Sequence, residues 1–496
     1  MKQKEQARRQ FLRNLGVTLC AGGASALLPQ LKLMGSALAA QTGTVAGYRA
    51  LVCVYLSGGN DSWNMLLPYD TARHSVYAAA RSGIYNATTN AGGLGIDRAA
   101  LASQFQITDS ATGALYAVNP GNATYPGGMS DLATIYRANK LAFLPNIGTL
   151  IRPITKTEYN ASPALRPPQL YSHNDQENLW HLARTTATGT GWGGLVADRV
   201  RLDNLNQALS PCISMAGSNR FEVGESTFPY QMSSGGLTGL SNIYNAANST
   251  GGTYGSQRAG ALDQLLNDTT NTSPLTKEYG RTFKRGRDLY DLVNSSLTAA
   301  DNSGNVTTVF PSGNSLADQL KMVARMIKIS RESSGQIQHK RQIFYVRVGG
   351  FDLHDGLMAT NQNGHGALLN RVSQALGAFW TALGELGAQN EVTAFTMSEF
   401  ARTLSSNGNG SDHAWGGVQF VMGGAVNGGR LYGTFPDQTL NNTISFSRGQ
   451  TIPSTSVDQM AATLARWMGV TSNTDLATIF PNLINFPTSN LGFMAP

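Results

Sequence analysis

Apolar residues along the chain follow two rhythms. Short, nearly unbroken runs fill residues 50–56 (ALVCVYL), 141–147 (LAFLPNI), 343–348 (IFYVRV) and 392–397 (VTAFTM), which reads as buried strand. Between the last two runs, Leu369, Val372, Leu376, Phe379, Trp380, Leu383 and Leu386 recur at helical spacing, and Gly387 supplies a stop. Strand, helix, strand at this length predicts a βαβ unit with its two strands parallel. Further helices are expected over 315–330, where Leu316, Leu320, Val323 and Ile327 share a face, and over 457–468. The latter has capping-box spacing between Ser456 and Gln459 and Gly469 as its end. Residues 215–260, rich in Gly, Ser and Asn, read as an elaborate loop, and helical periodicity returns over 261–300.

The polar residues gather where strands stop. The first run enters SGGND with Asp61; the run at 343–348 enters GGFDLHD with Asp352 and His354; the run at 392–397 enters SEF with Glu399. The loop NGNGSDHAWGG adds Asp412 and His413. A parallel sheet that leaves ligand-capable groups at several carboxyl ends builds a site along one edge. Carboxylates brought together repel unless protons or cations neutralise them, and Asp with neutral imidazole suits a divalent metal ion. In LYSHNDQENLWHLA, Ser172 is either a helix cap or a nucleophile, and His173 a ligand, base or substrate clamp. Asp61 is equally suited to hydrogen bonding within its turn.

Composition then narrows the setting. In 496 residues there are 55 glycines and 14% charged residues, a balance that suits a loop-rich exported protein. Arg8 and Arg9 stand ahead of an apolar stretch that ends at Ala37-Leu38-Ala39, the layout of a twin-arginine export signal over residues 1–39. That stretch is too short and too rich in small residues for a comfortable membrane span. Residues 1–40 hold six Lys/Arg against Glu5, so removing them lowers the net charge from +7 to +2. No basic cluster interleaved with aromatics remains, which argues against nucleic acid as a partner. The expected mature chain, residues 40–496, is one domain with a large insertion near 210–315 and no stable membrane span, located in the periplasm or outside the cell. Cys53 and Cys212 are read as buried thiols, with a disulfide between them as the alternative.

The blocks LSGGNDSWNMLLPY, LYSHNDQ, GGFDLHD, TMSEFARTLSSNGNGSDHAWGG and IPSTSVDQMAATLARWMGV, in this order, resemble the bacterial domain-of-unknown-function family 1501. The resemblance implies an alkaline phosphatase-like fold: an α/β/α three-layer sandwich around a mixed, mostly parallel sheet. It also implies a site for divalent metal ions, with Asp61, Asp352, His354, Asp412 and His413 as ligands, to which Glu399 is added as a candidate from its place at a strand end. Ser172 and His173 stand in the family's Ser-His block as candidate catalytic residues. Arg402 in the SEFART block is a candidate for holding a substrate anion, or a structural ion pair. Phosphatase relatives place one Asp–His pair four residues apart, whereas His354 follows Asp352 by two and position 356 is Gly356. The sulfatase signature is missing around Cys53, Cys212 and Ser162, and the phosphatase-like block at Ser110 leads into strand and turn. The expected function is metal-dependent hydrolysis of phosphate or sulfate esters, phosphoesters ahead, on a small anionic or glycan-linked substrate after passage through the twin-arginine machinery. The alternative is a non-catalytic exported binding protein on the same scaffold.

Overall fold

A computed structural model describes residues 46–184, 189–237, 255–267, 273–299 and 304–495. The expected export signal, residues 1–39, lies outside the described residues, as does 238–254 of the Gly/Ser/Asn-rich stretch. Residues from Thr44 onward form one compact unit.

In chain order the strands are β1 (Arg49–Leu56), β2 (Leu66–Pro68), β3 (Gln106–Thr108), β4 (Leu115–Val118), β5 (Leu141–Gly148) and β6 (Cys212–Ser214). They continue with β7 (Tyr230–Gln231), β8 (Arg341–Val348), β9 (Val392–Met397), β10 (Gly417–Gly423) and β11 (Thr455–Ser456). Eight of them make one sheet in the order β11-β5-β10-β9-β1-β8-β6-β7; β2, β4 and β3 form a small antiparallel sheet. In the large sheet only β10 runs against its neighbours, β5 and β9. The sheet is therefore mixed and mostly parallel. β8 and β9 are parallel as expected, but β1 lies between them and pairs with both. The helix joining them thus spans one intervening strand.

Alternation along β1 feeds two cores. Ala50, Val52, Val54 and Leu56 pack with the helices Ser130–Arg137, Ser315–Arg331 and His365–Glu385. Leu51, Cys53 and Tyr55 pack with Trp192–Val200, Val457–Met468 and Asn473–Ile479 on the other face. Strands covered on both faces have no polar side, which is why their sequences read as continuous apolar runs. The result is the α/β/α three-layer sandwich.

The capping box of Val457–Met468 forms as read, Ser456 with Gln459, and Gly469 closes the helix at φ +115°. Within the stretch read as a loop, the two-residue β7 extends the sheet edge and the helix Gly255–Leu266 begins early. Cys53 and Cys212 are both buried free thiols; the disulfide alternative does not form. Ser110 sits in the turn between β3 and β4 and opens no helix.

Candidate metal centre

Parallel β1, β8 and β9 release their chains at the same edge of the sheet. β10 is reversed, so the loop 398–416 leaves that edge from β9 and returns to it. The loop folds back on itself, with Thr403 N–H donating to Asp412 O at 2.8 Å and Ala414 N–H to Ala401 O at 2.7 Å. Gly58, at φ +119°, lets the β1 turn pass against the β8 loop: a Cβ there would stand 2.3 Å from the Asp352 backbone nitrogen.

Three imidazoles converge at this edge. His173 opens the helix His173–Leu182, His354 follows β8 and His413 comes from the returning loop. Each has its Nδ1 against a group that can only accept. His173 Nδ1 lies 2.8 Å from Glu399 Oε1, and His354 Nδ1 lies 2.9 Å from Asp412 Oδ1. His413 Nδ1 lies 2.8 Å from the Tyr171 carbonyl. In the neutral rings the protons therefore sit on Nδ1 and the lone pairs on Nε2. Those lone pairs face inward. His354 Nε2 and His413 Nε2 are 2.9 Å apart, and Asp352 Oδ1 lies 3.2 Å and 3.6 Å from them. Asp352 Oδ2 is 3.5 Å from His173 Nε2. One ligand atom from each of His173, Asp352 and His413 lies within 4.8 Å of the others. Two imidazole lone pairs this close repel unless a proton or a cation lies between them. This donor set, two imidazoles and a carboxylate with His354 Nε2 alongside, suits a borderline divalent ion.

The surrounding residues hold the donors in place. Buried Glu399 accepts from Gly58 N at 2.8 Å and from the Tyr55 hydroxyl at 3.1 Å as well as from His173. Burial alone would raise its pKa; the His173 and backbone hydrogen bonds outweigh that and hold it below the usual value. Desolvation likewise opposes ionisation of Asp412, yet Asn407, Arg448 and His354 bring it down to about 2. The Glu399 hydrogen bond raises the pKa of His173, whereas burial, aided by Arg402 and the neighbouring imidazoles, lowers that of His413.

The residues singled out from sequence thus separate into layers. Asp352, His354, His413 and His173 converge, His173 as a donor to the cluster. Asp412 and Glu399 stand behind the imidazoles and hold their Nδ1 atoms. Asp61 points into the interior and pairs with Arg81, both side chains at most 1% exposed, and Arg81 also donates to Thr403 O and Leu404 O. Ser172 caps its helix, its Oγ bound to Asp175 Oδ2 at 2.6 Å. Arg402 is fully buried, donating to Gly58, Gly59 and Ser411 carbonyls and to Asp352, so it positions Asp352 and faces no open space. Sequence reading passed over Arg448 and the Tyr171 carbonyl. Arg448 sits in a loop with no motif around it, and a backbone oxygen carries no signature.

Residues 313–479 match the family described as protein of unknown function, DUF1501. Among curated proteins none matches this chain. Similar solved structures include Ps i-CgsB in complex with k-i-k-neocarrahexaose, at 9% identity and TM-score 0.34, covering 88% of this chain and 76% of that one. The PsFucS1 sulfatase from Pseudoalteromonas sp. aligns at 11% identity and TM-score 0.32, over 90% of this chain and 72% of that one. Neither the family description nor the geometry of the cluster assigns a reaction.

Proposed function

We propose that this chain is an exported hydrolase of phosphate or sulfate esters that works with a divalent cation held by His173, His354, His413 and Asp352. One observation carries the reading: ligand atoms of His173, Asp352 and His413 lie within 4.8 Å of one another, with His354 Nε2 beside His413 Nε2, while every Nδ1 proton is already engaged. A bound divalent ion supplies Lewis acidity towards an ester oxygen and acidifies water at neutral pH.

The chain's own residues do the positioning. Glu399, Asp412 and the Tyr171 carbonyl fix the tautomers, and such outer partners keep the imidazoles basic and correctly turned. Arg402 orients Asp352 from below. Arg448 binds Asp412 through Nη1 and keeps its other nitrogens at a side chain 40% exposed, which suits it to meet an ester anion. Ser172, tied to Asp175, takes no part as nucleophile in this reading. Export by the twin-arginine route, which carries folded proteins, would let the metal be inserted first.

The test pairs metal analysis of the purified mature chain with hydrolysis of a panel of phosphate and sulfate monoesters. Stoichiometric metal and hydrolysis, both lost in His413→Ala and His354→Ala, are expected. A folded wild-type protein with no metal and no turnover would favour the binding-protein alternative.

A further inference from the structure

A second feature adjoins the cluster on the loops that reach it from outside the sheet. Tyr171 touches the cluster through its carbonyl, which accepts from His413 Nδ1 at 2.8 Å, while the residue as a whole is 38% exposed. Its hydroxyl meets that of Tyr159 at 3.4 Å, and Tyr159 packs against Phe446 with centroids 4.6 Å apart. Arg166 lies over the Tyr159 ring, its guanidinium carbon 4.4 Å from the centroid.

The chemistry of Arg166 is unusual for its surroundings. Arg152, earlier in the same segment, is paired with Glu158 at 2.7 Å, and Arg347, on the other flank, with Glu177 at 3.2 Å. Among the described residues no side chain or carbonyl accepts from the Arg166 guanidinium, and its Nε is buried without a partner. Nε itself is shielded from solvent, so an incoming anion would meet the two terminal nitrogens, which have no acceptor among the described residues. Stacking on Tyr159 fixes the plane of the guanidinium and leaves an edge for a planar pair of oxygens. The exposed Tyr171 ring beside it offers a face of the kind on which sugar rings pack.

We propose that Arg166, seated on Tyr159 beside Tyr171, is a second anion-binding point next to the histidine cluster, and that the substrate is a sugar ester bearing an additional phosphate or sulfate group. This rests on the ester-hydrolase reading for the first anion. The reacting group lies at the cluster and the second anion at Arg166, on the side of His413 where the Tyr171 carbonyl meets Nδ1. A simple monoester fills only the first position.

Equilibrium binding by calorimetry tests the assignment at two ionic strengths. The probes are glucose 1,6-bisphosphate against glucose 6-phosphate, and a disulfated against a monosulfated disaccharide; the preferred pair tells phosphate from sulfate. Arg166→Gln is expected to weaken the preferred doubly anionic probe by about tenfold or more, reduce its salt dependence, and leave metal content unchanged. Arg166→Lys, which keeps the charge without the planar fork, is expected to recover part of the loss and guards against a folding defect. Affinity for both doubly anionic probes within twofold of wild type in Arg166→Gln would overturn the proposal, as would an equal loss for the singly anionic probes. Metal content is read separately. A chain without metal that still loses the doubly anionic probe on Arg166→Gln would sink the metal reading and keep this one.

Discussion

At the residue scale, the cluster assigns different work to chemically similar groups. Asp352 faces the common point; Asp412 and Glu399 face imidazole N–H groups. Glu399→Gln should retain the fold and weaken metal binding by about 10–100-fold, read by competition with a chelator, because outer partners set ligand orientation and basicity. Asp61 makes the opposite case. In Asp61→Asn the buried Arg81 loses its countercharge, and about 3–5 kcal/mol of stability should disappear from a urea melt. Metal stoichiometry in the folded fraction should be unchanged, and a stoichiometric loss would return Asp61 to the ligand set. These residues also mark the limit of what was legible in the chain. Spacing located the acids and imidazoles at strand ends, since that depends on topology. It did not tell an inner donor from an outer one, because that depends on which oxygen each imidazole N–H meets after folding. Asp61 and Asp352 both follow a buried strand and a glycine pair, and only tertiary packing sends one inward to Arg81.

At the element scale, helix His173–Leu182 delivers His173 from its first turn, so the start of the helix matters as much as the histidine. Ser172 is the N-cap. Ser172→Ala should cost about 1 kcal/mol in thermal or urea unfolding. Ester hydrolysis should survive within about tenfold, whereas removal of a nucleophile costs several powers of ten. The long helices and buried strands were legible because their periodicity extends over many residues. The two-residue β7 and β11 and the small β2-β4-β3 sheet were not, being too short to establish a period. The place of β1 between β8 and β9 was likewise hidden, since a βαβ pattern fixes direction and leaves adjacency open.

At the scale of the whole molecule, two buried acids beneath the sheet give stability a pH dependence. Burial pushes the Glu222 carboxyl up to about 8 from an ordinary 4.5, with the Asn219 hydrogen bond only partly opposing it. Burial also raises Asp458 to about 7 from 3.8, against a hydrogen bond from Ser456. A raised carboxyl pKa means that the folded state keeps a proton the unfolded chain releases. The contribution is complete below pH 4 and is lost as pH climbs towards 7 and 8, at no more than about 1.4 kcal/mol per pH unit and group. Urea melts between pH 5 and 9 should show wild-type stability falling, with a shallower slope in Glu222→Gln; identical slopes would remove Glu222 as the cause. The reversal of β10 has a different kind of consequence. Because residues 398–416 depart from and rejoin the same rim, this one excursion carries Glu399, Arg402, Asp412 and His413 between two anchored ends. Descendants of this chain can rewrite that excursion, trading one set of chemical groups for another, while the strands on either side keep their places. The rim can thus change its trade over generations without the sandwich being rebuilt.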